Sequence, residues 1–157
     1  MATAVSWPAN GDGRTIVLFD VQRREREGWT VLAIIGELDL SAVPRVRQAA
    51  LQALLGDEAG PEGPQVVVDL SSVDFLDSAG LGVVLGVVRR VRLAGGQAAV
   101  VFDPASSVGR VFAVLGLERV LPVAAGVDDV VARARSGPLL PSAPGPVLAG
   151  EAGGRDG

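Results

Sequence analysis

Residues 73–86, with the sequence VDFLDSAGLGVVLG, carry the side chains best suited to chemistry. Ser78 follows Asp77 and precedes the small residues Ala79 and Gly80. This pattern predicts a helix that starts here, with the Ser78 hydroxyl at its mouth and at the surface. Serine before a helix is most often only a cap, so two interpretations stay open: a structural cap and a functional hydroxyl.

Two other kinds of site are weaker hypotheses for the same region. Asp69, Asp74 and Asp77 could be taken for a carboxylate cluster that binds Mg²⁺, but solvation of strand ends and turns explains them more simply. The glycine spacing G-x-G-x-x-x-G that begins at Gly80 differs by one residue from the dinucleotide fingerprint. We therefore expect no metal and no cofactor.

The residue types that the chain lacks exclude several catalytic mechanisms. The 157 residues include no His, Cys, Tyr or Lys, and all 14 basic residues are Arg. A Ser-His-Asp triad, a thiolate nucleophile, a Schiff-base or P-loop lysine and histidine or thiolate metal ligands are thus impossible within this sequence. Carboxylate, hydroxyl, guanidinium and backbone groups remain.

Charge and hydropathy argue against nucleic-acid and membrane partners. With 18 acidic and 14 basic residues, the formal charge is −4, which disfavours binding through phosphate neutralisation. The longest apolar and glycine run, residues 79–88, is far shorter than the roughly 18 to 20 residues of a membrane span. The first residues lack the pattern of a secretion signal. We expect a cytoplasmic protein that does not insert into a membrane.

The elements that must position Ser78 follow from hydrophobic periodicity. The predicted strands cover residues 15–21, 29–35, 65–70, 97–102 and 119–123, the first two joined by a charged turn at residues 22–28. The predicted helices begin after a cap at Ser41, near Ser78, after a cap at Asp103 with Pro104 as the first helical residue, and near Val127; the second ends at Leu93. Such alternation predicts an α/β fold with a mixed, mostly parallel central sheet of about five strands and four helices.

Composition divides the chain into a folded part and two flanks. Residues 1–14 show no periodicity and are expected to be a flexible leader. Residues 137–157 are rich in glycine and proline and are expected to be a flexible tail. A single domain is therefore predicted over residues 15–136.

Three blocks of this domain resemble one family. The sequence DFLDSAGLG at residues 74–82 resembles the helix-start motif of STAS domains, specifically of the bacterial anti-sigma factor antagonists. GELDL at residues 36–40 resembles their second motif, and VFAVLGLERVLPV at residues 111–123 resembles their third helix and last strand. The resemblance covers roughly residues 15–136. It departs from the family in a longer loop at residues 56–64, the added tail, and Ala79 in place of a second hydroxyl.

The resemblance implies a phosphorylation switch at Ser78. In this family an anti-sigma factor that is a serine protein kinase phosphorylates the serine of the motif, and a partner phosphatase resets it. The unphosphorylated form binds the anti-sigma factor and releases a sigma factor, so the protein itself is expected to be no enzyme and a monomer when free. The partner-binding residues implied are Asp39, Asp77, Ser78, Ala79, Gly80, Leu81 and Gly82.

Two alternative functions remain open at this point. A STAS domain could instead be a scaffold subunit of a membrane lipid-transport ATPase complex, which would dock through the same surface without phosphorylation. It could also be a small sensor domain that binds a nucleotide near Asp39 and Ser78.

Overall fold

A computed structural model describes residues 6–9, 14–17, 19–56 and 60–141. Its centre is a five-stranded sheet whose strands lie side by side in chain order, the first two antiparallel and all other neighbours parallel. The described residues contain four α-helices, so the predicted α/β fold with a mixed, mostly parallel sheet is confirmed. The strands of this sheet are β3 (Phe19–Arg26), β4 (Trp29–Leu38), β5 (Gln65–Leu76), β6 (Gln97–Val101) and β7 (Val123–Ala124). The helices are α1 (Val43–Leu55), α2 (Ser78–Leu93), α3 (Ser107–Leu115) and α4 (Val127–Arg135).

Two further strands precede the sheet. Strand β1 (Ser6–Ala9) pairs antiparallel with β2 (Arg14–Val17) in a separate two-stranded sheet. They fall on the predicted leader and on the start of the first predicted strand. Most of the predicted tail, residues 142–157, lies outside the described residues.

The predicted charged turn at residues 22–28 is wrong. Strand β3 continues to Arg26, and the turn consists of Glu27 and Gly28, which have φ angles of 49° and 86°. Two consecutive positive φ values suit the tight turns that join antiparallel strands. Charged side chains are tolerated in β3 because it is an edge strand whose last four residues are exposed.

Strand β5 is longer than hydrophobic periodicity predicts. The predicted strand ends at Leu70, whereas β5 runs to Leu76 and pairs with β4 as far as Leu38. Backbone pairing with β4 holds this extension, in which three of the six side chains, those of Ser71, Ser72 and Asp74, are polar. As a result, β4 and β5 end together at one edge of the sheet.

The predicted helix boundaries are correct for α2, whereas α1 and α3 begin at other residues than predicted. The predicted range of α2 is confirmed at both ends. A 3₁₀ helix (Leu40–Ala42), capped by Asp39 and not Ser41, precedes α1. Ser106, not Asp103, caps α3. A second 3₁₀ helix (Leu117–Arg119) and the short β7 replace the predicted strand at residues 119–123.

Two apolar clusters cover the two faces of the sheet. The larger cluster packs α1, α2 and α3 on one face, and its largest fully buried side chain is Phe112, whose ring centroid lies 4.5 Å from that of Phe102. The smaller cluster packs α4 against Trp29 and Val67 on the other face. Such burial stabilises a fold by roughly 25 cal/mol per Å² of apolar surface. This frame fixes α2, and with it Ser78.

Among the described helices, none combines the length and apolar character that crossing a membrane requires.

Candidate functional site

The site lies where β4 and β5 end. In the parallel register Leu38 is opposite Leu76, so the residues that follow each strand leave the sheet at the same edge. Asp39 follows β4, whereas Asp77 and Ser78 follow β5. The topology thus brings the two sequence motifs, GELDL and DFLDSAGLG, side by side.

Ser78 is the first residue of α2, and its side chain is exposed. The cap is Asp77, which has extended backbone angles (φ −98°, ψ −177°) and whose Oδ1 accepts a hydrogen bond of 2.7 Å from the Gly80 N–H. This bond satisfies one of the free N–H groups at the helix start. Because Asp77 does the capping, the interpretation of Ser78 as a structural cap is wrong, and its hydroxyl is left for other contacts.

Gly80 locks the start of α2 against the end of β4. A Cβ atom at Gly80 would lie 2.0 Å from the carbonyl oxygen of Leu38, far inside any real contact distance. The Asp77 N–H also donates to this carbonyl, at 3.3 Å. Only glycine permits this approach, so the positions of Asp77 and Ser78 are set by a backbone contact with β4.

Asp39 presents a carboxylate beside this contact. Its Oδ1 accepts hydrogen bonds from the Ser41 hydroxyl at 2.5 Å and from the Ser41 N–H at 3.0 Å. The hydroxyl bond, helped by the backbone donors, lowers the pKa of the Asp39 carboxyl below its ordinary value, and this outweighs the opposing effect of desolvation. Asp39 is therefore ionised near neutral pH while half-exposed at the edge of the sheet.

The other predicted site residues have different exposures. Ala79 and Leu81 are half-buried and pack against the larger apolar cluster, and Gly80 is buried. Gly82 is exposed, and a Cβ atom there would meet nothing within 4 Å. A Cβ at Gly86 would be equally unobstructed. Of these three helix glycines, only Gly80 makes a close backbone approach.

Two large apolar side chains at this edge were not predicted. Leu40, in the 3₁₀ helix after Asp39, is 70% exposed, and Phe75, three residues before Ser78, is 49% exposed. A single-sequence pattern does not single them out, because each lies one or two residues from a leucine, Leu38 or Leu76, that is in the larger apolar cluster or packs against it. Their exposure depends on how the chain turns at the ends of β4 and β5.

The three aspartates considered for a metal site have separate structural roles. Asp69 accepts a hydrogen bond from the Ser71 N–H at 2.9 Å, and Asp77 caps α2. Asp74 is exposed, and its backbone carbonyl accepts from the Ser107 hydroxyl at 3.2 Å. Among residues 19–56 and 60–141, no group of three acidic, histidine or cysteine side chains is arranged to hold a metal ion.

The chain is thus a small α/β domain with a mixed sheet. It exposes a serine hydroxyl at the start of α2, where β4 and β5 end. The model of the STAS domain family matches residues 20–130. This chain belongs to the STAS domain family. The match includes both strand-end motifs, so the resemblance noted from their sequences is confirmed.

Individual relatives share one description. The chain is 28% identical over 103 residues to an anti-sigma F factor antagonist of Paenibacillus polymyxa, covering 66% of this chain and 84% of that protein. It is 29% identical over 87 residues to an anti-sigma F factor antagonist of Lysinibacillus sphaericus, covering 55% of this chain and 70% of that protein.

Two solved structures share the fold of this chain. An anti-sigma factor antagonist from Mycobacterium paratuberculosis superposes with a TM-score of 0.62 at 26% identity, covering 74% of this chain and 94% of that one. The Bacillus cell fate determinant SpoIIAA in its phosphorylated form shares the fold, with a TM-score of 0.54 at 24% identity, covering 73% of this chain and 99% of that one.

Proposed function

We propose that the chain is an anti-sigma factor antagonist that binds a kinase-type anti-sigma factor and is released when that partner phosphorylates Ser78. The observation that carries this proposal is the exposed Ser78 hydroxyl at the start of α2, where Asp77 already supplies the cap. A hydroxyl without a capping role is available to an incoming kinase. The similarity to proteins described as anti-sigma factor antagonists supports the same function.

The chemistry requires little of this chain. The Ser78 Oγ attacks the γ-phosphorus of ATP, a new O–P bond forms as the bond to ADP breaks, and the hydroxyl proton passes to a base. The kinase supplies the base and the nucleotide site, and a phosphatase later hydrolyses the ester. The chain contributes a hydroxyl in a fixed position, which agrees with a sequence that has no His, Cys or Lys.

The fold can tolerate a phosphate at this position. The start of a helix carries a partial positive charge and free N–H groups, which stabilise an anion there by about 0.3 to 1 kcal/mol. Helix α2 has 16 residues and is anchored in the larger apolar cluster, so its dipole is well developed and its position is fixed. Asp77 would repel the phosphate and offset part of this gain. We expect the folded structure to survive phosphorylation. SpoIIAA, which shares the fold, is known in both phosphorylated and unphosphorylated forms.

The interface with the anti-sigma factor would not tolerate a phosphate on Ser78. A phosphoserine adds about −1.5 to −2 charges at neutral pH. A partner surface that fits a neutral hydroxyl must then desolvate this charge beside Asp77, which typically costs several kcal/mol. Because about 1.4 kcal/mol corresponds to a tenfold change in affinity, phosphorylation can abolish binding without a structural change.

The experiment measures phosphate transfer to this chain and identifies the residue that is phosphorylated. We expect incubation with a kinase-type anti-sigma factor and ATP to add one phosphate, located on Ser78 by peptide mass spectrometry. Ser78→Ala should remove the phosphate, whereas the control Ser72→Ala, at another exposed serine, should keep it. A phosphate on a different residue, or equal partner binding by Ser78→Asp and Ser78→Ala, would contradict the switch.

A further inference from the structure

We propose that Leu40 and Phe75 are the apolar anchors of the partner interface, and that the anti-sigma factor receives them in an apolar pocket with a basic rim. This inference rests on the proposed function and specifies the chemistry of its partner. Its starting observation is that two large apolar side chains, 70% and 49% exposed, lie next to the two motifs.

The backbone places both anchors within one interface around Ser78. Leu40 is two residues beyond Leu38, and Ser78 is two residues before Gly80, which contacts the Leu38 carbonyl. With about 3.8 Å between consecutive Cα atoms, Leu40 and Ser78 each lie within about 8 Å of that contact, and Phe75 lies within about 11 Å of Ser78. A standard interface covers about 800 Å² on each partner, which is wide enough to include all three.

The exposure of the two anchors serves no purpose in the fold. At the end of β4, Leu38 is fully buried in the larger cluster, and Leu76 at the end of β5 packs against the same cluster. Leu40 and Phe75 are absent from both clusters. A lone exposed Leu needs no explanation, but two large apolar side chains beside a modifiable hydroxyl form a surface of the kind that interfaces bury.

Charge indicates the nature of the partner. The two segments that form the edge, residues 36–42 and 73–82, contain the carboxylates Glu37, Asp39, Asp74 and Asp77 and no arginine. Glu37 and Asp74 are exposed, and Asp39 is half-exposed, with hydrogen bonds from Ser41 that lower the pKa of its carboxyl. Carboxylates next to the apolar anchors in sequence favour a partner pocket with basic residues at its border and repel an acidic one. Arg47 and Arg90, from α1 and α2, line a groove beside Gly82.

The test measures the affinity of a kinase-type anti-sigma factor for unphosphorylated protein, with ADP in place of ATP so that no transfer occurs. We expect Leu40→Ala and Phe75→Ala each to weaken binding about 10- to 100-fold, the range for apolar anchors at interface centres. The matched control is Leu93→Ala. Leu93 is 77% exposed at the other end of α2, about 22 Å from Ser78 along the helix axis, and its loss should leave affinity unchanged.

A kinetic readout with ATP separates docking from chemistry. Since the anchors do not touch the transferred phosphoryl group, Leu40→Ala should raise the KM of the chain as a kinase substrate and leave kcat nearly unchanged. Urea unfolding of each variant verifies that the fold is intact. If the native chain binds and both anchor variants match Leu93→Ala, the anchor proposal is overturned while the proposed function stands. If the native chain itself neither binds nor is phosphorylated, the proposed function fails.

Discussion

Replacing Gly80 by alanine should destabilise the protein, although the same replacement two residues later should stabilise it. The new Cβ would lie 2.0 Å from the Leu38 carbonyl oxygen, whereas real Cβ atoms essentially never come within 3.0 Å, so α2 must move by about 1 Å or more. Overpacking of this kind costs about 1 to 3 kcal/mol. The weakened hydrogen bond from the Asp77 N–H to Leu38 adds about 1 kcal/mol. The gain in helix propensity recovers at most about 1 kcal/mol.

Gly82→Ala is the matched control for this prediction. Gly82 is exposed within α2, and a Cβ atom there would meet nothing within 4 Å. Helix propensity alone should therefore raise the free energy of unfolding by about 0.5 to 1 kcal/mol. Urea denaturation should separate the two variants by about 2 to 4 kcal/mol, or roughly 1 to 2 M in midpoint for an m-value near 2 kcal/mol/M. Equal midpoints would refute the contact between α2 and β4.

Three other predictions concern the cap, a titration and the core. Asp77→Ala should lower the free energy of unfolding by about 1 kcal/mol in urea denaturation because the Gly80 N–H loses its acceptor, while Asp74→Ala should have little effect; equal losses would contradict the cap. Ser41→Ala should raise the pKa of Asp39 towards its ordinary value in an NMR titration; an unchanged pKa would rule out the hydroxyl as the main cause. Since the folded pKa of Asp39 is depressed, its stabilising effect is present above its unfolded pKa of about 4 and is lost as pH falls through the folded pKa. Phe112→Ala should cost about 3 to 5 kcal/mol by thermal or urea unfolding, and a loss below 1 kcal/mol would contradict its burial.

The elements with strong local signals were predictable from sequence. Helix α2 has the capping residue Asp77 at its start and a glycine pair after Leu93, so both ends are encoded locally. The motif around Ser78 is specific enough to indicate the STAS domain family from the sequence alone. The choice between Asp77 and Ser78 as the cap was not settled by sequence, and the structure assigns it to Asp77.

What could not be predicted depends on contacts between distant segments. Strand β5 continues to Leu76 because β4 lies beside it, although Ser71, Ser72 and Asp74 interrupt the apolar pattern. The need for glycine at position 80 arises from the Leu38 carbonyl, which is far away in sequence. The sequence does not distinguish Leu40 and Phe75 from their neighbours Leu38 and Leu76, and only the fold shows that they are exposed.

The most direct test of the central claim is the ratio of two dissociation constants. The affinity of a kinase-type anti-sigma factor for this chain is measured in the presence of ADP. The chain is either unmodified or stoichiometrically phosphorylated on Ser78. We predict at least a 100-fold weaker affinity for the phosphorylated chain, with a free energy of unfolding within about 1 kcal/mol of the unmodified one. Equal affinities of the two forms would contradict the account.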